Sequence, residues 1–71
     1  MTIAEIMKAI RSELNISQET HARELNVSYA TLNRWENNKV KPSRLAKIQI
    51  KDYCIQKTIS WDIVSELDKA L

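Results

Sequence analysis

Apolar side chains recur every three to four residues near the beginning of the chain, which is the spacing of one helix face. Thr2 and Glu5 have the spacing of a capping box, in which each side chain accepts a hydrogen bond from the other residue's backbone N–H. Asn15 suits the end of this helix because Asn tolerates positive φ. The pattern predicts a first helix over residues 3–14, with the apolar face Ile3, Ile6, Met7, Ile10 and Leu14.

Two short helices joined by a tight turn are predicted next. Ser17 is a suitable N-cap for a second helix over residues 18–25, and Ser28 for a third over residues 29–37. Val27 and Leu32 have the spacing of a hydrophobic staple. The chain contains no glycine, so Asn is expected wherever the backbone must turn left-handed, namely at Asn15, Asn26 and Asn38.

Two further helical patterns fill the second half of the chain. A fourth helix is predicted to begin at Pro42 or Ser43 and to continue to about Lys57, with an apolar face wide enough for two neighbours. Ser60 is expected to cap a fifth helix over about residues 60–71. The absence of glycine and the single proline argue against a β-sandwich or barrel. We therefore predict an all-α, compact five-helix domain spanning residues 1–71.

The net charge of +2 is unevenly distributed. Residues 34–51 carry six basic side chains against the single acid Glu36, whereas residues 58–71 are net acidic. A basic stripe beside an acidic tail predicts a surface that faces a polyanion. A solvated helix face is the alternative. The six basic residues are Arg34, Lys39, Lys41, Arg44, Lys47 and Lys51.

Residues that commonly build catalytic or metal sites are scarce. The chain has one histidine and one cysteine, and it has no glycine-rich phosphate loop. We therefore expect no enzyme activity, no catalytic residue, no metal and no cofactor. Cys54 lies among apolar residues and is interpreted as a small core residue, since a redox switch needs an exposed thiolate.

Membrane and secretion signals are not recognised in the sequence. Glu5 and Lys8 interrupt the apolar pattern of residues 1–10, so this segment does not resemble a signal peptide. No apolar run approaches the length of a membrane span. We expect no membrane partner and a cytoplasmic location.

An ordered set of residues from the second helix to the loop after the third is similar to a known family. The matching positions are Gln18, Ala22, Leu25, Val27-Ser28, Thr31-Leu32, Trp35-Glu36 and the basic loop ending in Pro42. They resemble the phage Cro/repressor-like, or XRE-type, helix-turn-helix DNA-binding domains. The resemblance covers residues 3 to about 57 and implies a lambda-repressor-like fold, with the helix-turn-helix core at residues 17–37. It also implies double-stranded DNA as the partner, with the third helix in the major groove.

Two kinds of position depart from that family. His21 stands where the family usually has Leu, Phe or Val. It is interpreted as a partly buried histidine with satisfied hydrogen bonds, and a pH-sensitive element is the alternative. Asn26 and Asn38 replace residues that are commonly Gly, which the tolerance of Asn for positive φ explains.

The outer face of the third helix is expected to contact bases. Ala22 lets the second and third helices cross closely, while Leu25, Val27, Leu32 and Trp35 hold the pair on the core. Arg34 can make a bidentate contact with guanine and Asn33 with adenine, and Ala30 can pack on a thymine methyl. The predicted base contacts are Tyr29, Ala30, Asn33 and Arg34, of which the resemblance implies positions 29, 30 and 34. Alternatively, Tyr29 only covers the helix surface and Arg34 pairs with a carboxylate such as Glu24.

Phosphate contacts are expected around the same helix. Gln18 begins the second helix, where its side chain and backbone N–H can both approach a phosphate. The resemblance implies that this Gln also touches the third helix, here at Tyr29. Asn37 has an alternative role as part of the helix end. The predicted phosphate contacts, which set register without reading sequence, are Gln18, Ser28, Asn37, Lys39, Lys41 and Arg44.

The most direct hypothesis is a small transcriptional regulator that represses by occupying an operator. A homodimer on a pseudo-palindromic site is expected, with the fifth helix and the apolar surplus of the fourth as its surface. The dimer candidates are Trp61, Val64, Leu67 and Leu71, and Trp61 could instead complete the core. The alternatives are an antitoxin or protein-interaction adaptor that grips a protein partner with the fifth helix, and a DNA-targeting component of a modification or defence system.

Overall fold

In a computed structural model that describes residues 1–71, the chain forms five α-helices and no strand. The helices are α1 (Ile3–Leu14), α2 (Gln18–Leu25), α3 (Tyr29–Glu36), α4 (Arg44–Gln56) and α5 (Trp61–Lys69). The all-α prediction is confirmed, and α1 and α2 begin and end where the pattern places them. α3 ends one residue earlier than predicted. The longest helix has 13 residues, and none is long and apolar enough to cross a lipid bilayer.

Hydroxyl side chains start four of the five helices. Thr2 and Glu5 form the predicted capping box, with the Thr2 N–H donating to Glu5 Oε1 at 2.8 Å. Ser60 makes no such bond, and its N–H instead donates to Glu13 Oε2 at 2.6 Å, which ties α5 to α1. The remaining side-chain caps, each accepting from the N–H three residues further on, are Ser17, Ser28 and Ser43.

Four non-glycine residues have a left-handed backbone. The three predicted positions are confirmed, with φ of 55° at Asn15, 62° at Asn26 and 58° at Asn38. Thr58, with φ of 54°, is a fourth that the pattern did not indicate, because a β-branched residue is disfavoured there. The turn at Thr58 lets the Ile59 N–H donate to the Cys54 carbonyl at 2.9 Å and buries the Ile59 side chain. Tertiary packing therefore overrides local preference at the end of α4.

A single core combines side chains from all five helices and the α4–α5 loop. α1 packs against α3 and α5, while α4 packs against α2 and α5. Cys54 is fully buried, as predicted. The core residues are Ile6, Met7, Ile10, Ala22, Leu32, Trp35, Ile50, Tyr53, Cys54, Ile59, Val64 and Leu67.

The residues that α5 exposes to solvent are not the ones predicted. Val64 and Leu67 are 3% and 0% exposed, so the expectation that they form a dimer surface is wrong. The single apolar stripe of this nine-residue helix is used to cover α1 and α4. Trp61 is 70% exposed and does not complete the core. Of the four dimer candidates, only Trp61 and Leu71 remain accessible.

Candidate nucleic-acid interface

The geometry of α2 and α3 is set by the turn between them. Asn26 ends α2 in the left-handed conformation, and the Val27 N–H donates to the Ala22 carbonyl at 3.0 Å. Ala22 is buried where the two helices pack, and Leu32 and Trp35 anchor α3 in the core. These contacts leave the opposite side of α3 facing solvent.

Three predicted base-contact residues, Tyr29, Ala30 and Arg34, are exposed on that side. Tyr29 is 52% exposed, so its ring projects from the surface. Arg34 forms no ion pair. The alternative pairing of Arg34 with Glu24 is wrong, because Glu24 accepts from the Tyr53 hydroxyl at 2.7 Å and lies 3.6 Å from Lys57 Nζ. The guanidinium of Arg34 is therefore free to contact a ligand.

Asn33, the fourth predicted base-contact residue, is half-buried and already hydrogen-bonded. Its Nδ2 donates to Gln18 Oε1 at 3.3 Å, and its Oδ1 accepts from Asn37 Nδ2 at 3.0 Å. The expected contact of Gln18 with α3 therefore exists but involves Asn33 and Glu36, and no hydrogen bond joins Gln18 to Tyr29. Gln18 and Tyr29 line the same shallow pocket beside Arg11, without a hydrogen bond between them.

A buried ion pair, which sequence reasoning missed, lies behind this polar group. Arg11 Nε and Nη2 donate to the two carboxylate oxygens of Glu36, each at 2.8 Å, and Glu36 is only 2% exposed. Burial opposes the charge of Glu36, but hydrogen bonds from Arg11 and Gln18 outweigh it, so the pKa of this carboxyl lies below its ordinary value. The ion pair joins α1 to α3. Helical spacing from Leu32 and Trp35 was the available signal, since it places Glu36 on the core side.

The cations nearest α3 fall into two groups. Lys47 donates to the Ala70 carbonyl at 3.0 Å, and Lys51 pairs with Asp68 at 2.6 Å. Both therefore hold the end of α5 against α4, and the charge of Lys51 is compensated by Asp68. The other four cations form neither an ion pair nor a bond to α5 and are here called the basic segment: Arg34, Lys39, Lys41 and Arg44.

The remaining predicted phosphate contacts are also near the ends of α2 and α3. Ser28 is exposed and caps α3, but its hydroxyl hydrogen is donated to Thr31 Oγ1 at 2.8 Å. Asn37 is exposed at the end of α3. Gln18 opens α2, whose first N–H groups lack intrahelical partners. These groups surround the outward side of α3.

His21 lies directly behind the interface, inside the core. The ring is fully buried, and neither nitrogen has a hydrogen-bond partner, so the expectation of satisfied hydrogen bonds is wrong. Its ring centroid is 5.3 Å from that of Tyr53. Burial lowers the pKa of His21 to about 4, although Glu36 and Glu24 oppose this shift. The imidazole is therefore neutral at pH 7, and it packs as an apolar ring.

Cys54 is buried next to this region. Burial raises the pKa of its thiol to about 11, so the thiolate that redox chemistry requires is disfavoured. No group of three His, Cys, Asp or Glu side chains is arranged to hold a metal ion.

The comparison with known families agrees with this geometry. A family model described as helix-turn-helix, of the XRE type, matches residues 7–47, which is more than half of the chain. The chain belongs to this helix-turn-helix family. No curated protein and no solved structure gave a match to the chain.

Membership in the helix-turn-helix family identifies the ligand. Helix-turn-helix domains of this family bind double-stranded DNA and belong to transcriptional regulators, and the family is not one of enzymes. The matched region begins in α1 and ends in the first turn of α4. It therefore includes the exposed side of α3 and the whole basic segment.

Proposed function

We propose that this helix-turn-helix protein recognises a specific duplex site by placing α3 in the major groove. The observation that carries the proposal is the exposed side of α3, where Tyr29, Ala30 and the unpaired Arg34 are held out by a buried opposite side. Asn33 adds an amide that retains a second N–H and a second lone pair after its internal bonds. These four residues carry base recognition. Repression by occupation of an operator is the regulatory outcome we propose.

Phosphate contacts position the protein on the duplex. The basic segment continues directly from α3, and its cations have no competing carboxylate. Neutralising phosphates releases counterions, so this segment supplies affinity that falls with salt. The residues proposed for phosphate contact are Gln18, Ser28, Asn37, Lys39, Lys41 and Arg44.

Two substitutions separate base recognition from phosphate contact. Arg34→Ala is expected to cost about 1–3 kcal/mol on the preferred site and to relax discrimination at one base pair. Lys41→Ala is expected to weaken binding to all sequences. It should also reduce the slope of the logarithm of the binding constant against the logarithm of the salt concentration by about one. The preferred site is first selected from a random duplex library, and binding is then titrated by fluorescence anisotropy.

Lys69→Ala is the matched control, because it removes one positive charge from α5, where Lys69 pairs only with Glu66. Its affinity is expected to equal that of the unaltered protein. Unchanged binding by the Arg34 and Lys41 variants would contradict the proposed interface and leave the fold intact.

We propose that the protein binds as a two-fold dimer on a pseudo-palindrome. One α3 reads about half a site, so half-sites roughly 34 Å apart are expected. Exposed apolar side chains on α4, on α5 and directly after α5 support a contact between copies, because burying apolar surface favours association. The accessible set is Leu45, Ile48, Ile55, Trp61 and Leu71.

Sedimentation in the presence of the selected duplex tests the dimer. Trp61→Ala is expected to shift the assembly from two protein copies per duplex toward one, since a large exposed aromatic residue is a common interface anchor. Lys8→Ala, which removes an exposed side chain from α1 and touches neither the base-contact residues nor the candidate dimer residues by assignment, is the control for stoichiometry. One copy per duplex for the unaltered protein would contradict the dimer.

The same exposed apolar residues support alternative roles in which the protein binds a different protein. An antitoxin or adaptor role would use Leu45, Ile48, Ile55 or Trp61 to bind a different protein. A DNA-targeting component of a modification or defence system would combine that contact with the α3 interface. The sedimentation experiment separates these roles from the homodimer, because a heterologous partner leaves the protein alone as one copy per duplex.

A further inference from the structure

A continuous line of hydrogen bonds connects the buried ion pair to the outer side of α3. Arg11 donates to Glu36, Gln18 Nε2 donates to Glu36 Oε1 at 3.0 Å, and Asn33 Nδ2 donates to Gln18 Oε1. Asn37 Nδ2 then donates to Asn33 Oδ1. We call these five residues the amide relay. It starts at a charge in the core and ends at solvent.

The direction of the relay is determined by the charge at its inner end. An ionised carboxylate can only accept hydrogen bonds, so Gln18 must turn its NH₂ group toward Glu36 and its oxygen toward Asn33. That oxygen requires a donor, so Asn33 must turn its own NH₂ group toward Gln18. The lowered pKa of Glu36 keeps the carboxylate ionised at neutral pH. Each amide therefore has one favoured orientation.

We infer that Glu36 is a positioning residue for base recognition, which acts through Gln18 to hold the Asn33 amide in one orientation and thereby selects A·T over the reversed T·A pair. The inference rests on the proposed function of α3. In the held orientation, the donor of Asn33 lies toward Gln18 and its acceptor toward Asn37. A reversed base pair presents its donors and acceptors in the opposite order in the major groove. A freely rotating amide would fit either pair, whereas the held amide fits one.

The inner end of the relay is held by short hydrogen bonds, since both bonds from Arg11 to Glu36 are 2.8 Å long, whereas the bond from Asn33 to Gln18 is 3.3 Å long. Arg11 makes a third, longer hydrogen bond to the Ile16 carbonyl at 3.4 Å, which adds a contact with the backbone of the α1–α2 loop. Glu36 is buried and accepts three hydrogen bonds from two residues. A rotation of the Asn33 amide would place oxygen against oxygen at Gln18. Bidentate readout by a held amide corresponds to roughly 5- to 150-fold discrimination between base pairs.

The decisive variant is Gln18→Met, which has a similar length but cannot transmit the orientation and leaves the Arg11–Glu36 pair intact. Affinities are measured for the selected duplex and for duplexes in which each A·T pair is reversed. Asn33→Ala first identifies the pair that Asn33 reads. At that pair we expect the preference for A·T over T·A to fall about tenfold or more in Gln18→Met. The preference at the pair read by Arg34 is expected to stay unchanged.

Glu36→Gln tests the source of the orientation, because an amide can donate as well as accept. Glu19→Gln makes the same chemical change at an exposed neighbour of Gln18 and is the matched control.

Side-chain amide resonances in NMR spectra report on the relay without DNA. In the unaltered protein we expect the Asn33 side-chain amide resonances to be dispersed and slow to exchange with water. In Gln18→Met and Glu36→Gln we expect their chemical shifts to move toward the values of an unfolded chain.

Two failures are distinguishable. If the unaltered protein binds every duplex equally, the proposed function is wrong and the inference fails with it. A different result is that the unaltered protein discriminates between duplexes while Gln18→Met keeps the full A·T preference or binds every duplex more weakly by the same factor; that result overturns only the inference.

Discussion

Replacement of Arg11 by Met is expected to destabilise the protein by about 3 kcal/mol, at the lower end of the range for breaking a buried ion pair. The variant leaves the buried Glu36 carboxylate without its two guanidinium hydrogen bonds. We choose the lower end because Arg11 itself is 26% exposed and part of its interaction is screened by water. A domain of this size is stable by only about 3–5 kcal/mol, so a substantial fraction should unfold at 25 °C.

Urea denaturation followed by circular dichroism at pH 7 measures this loss. Arg23→Met is the matched control, since Arg23 is exposed on α2 and forms no ion pair. The double variant Arg11→Met, Glu36→Leu is expected to recover most of the stability, because replacing both partners with apolar side chains removes the unpaired charge. Equal stability of the Arg11 and Arg23 variants would contradict the importance of the ion pair.

Replacement of His21 by Leu is expected to stabilise the protein by about 1–3 kcal/mol at pH 7, since it removes two buried nitrogens that lack partners. The family resemblance implies an apolar residue at this position, and the ring already packs against Tyr53. His21→Gln is the matched control, because it keeps a polar side chain of similar size and should give no such gain. A stability of His21→Leu equal to that of the unaltered protein would contradict this account.

The same residue is expected to make stability depend on pH. The pKa of His21 is lowered to about 4 in the folded state from an ordinary value of 6.5, so the unfolded chain binds more protons between these values. Stability is therefore full above pH 7, falls by about 2 kcal/mol between pH 7 and pH 5, and falls further toward pH 4. Three charged groups near the ring contribute to this pKa: Glu36 and Glu24 raise it, and Arg11 lowers it. The Tyr53 ring packs directly against the imidazole.

Urea denaturation at pH 7, 6 and 5 measures the free energy of unfolding of His21→Leu and of the unaltered protein, and so tests this pH dependence. Loss of the slope in the variant is expected, because the carboxyl groups bind protons mainly below pH 5. A slope that survives in His21→Leu would assign the pH dependence to other groups.

Local sequence features predicted the helices well because their causes lie within a few residues. The serine caps of α2 and α3 and the asparagines at positive φ act through hydrogen bonds between neighbours along the chain. Thr58 was missed for the complementary reason: its unfavourable backbone is stabilised by the burial of Ile59, which depends on α5 and α1 being in place.

The candidate site was predicted in outline. Helical periodicity separated the exposed Tyr29, Ala30 and Arg34 from the buried Leu32 and Trp35, and the structure agrees. Periodicity does not identify the partner of a polar side chain when that partner is distant in sequence. The bonds from Gln18 to Glu36 and from Lys51 to Asp68 span 18 and 17 residues, and both changed the interpretation of the interface.

The amino-acid order alone determined that this protein is a helical bundle with a helix-turn-helix, because capping, periodicity and turn residues are local properties of the chain. Only the tertiary structure decided which charges remain free, that His21 is buried without partners, and that Val64 and Leu67 are unavailable to a second copy. The reason is that burial and pairing depend on which helices meet. The interaction between α1 and α3, through Arg11 and Glu36, exists only after the chain has folded.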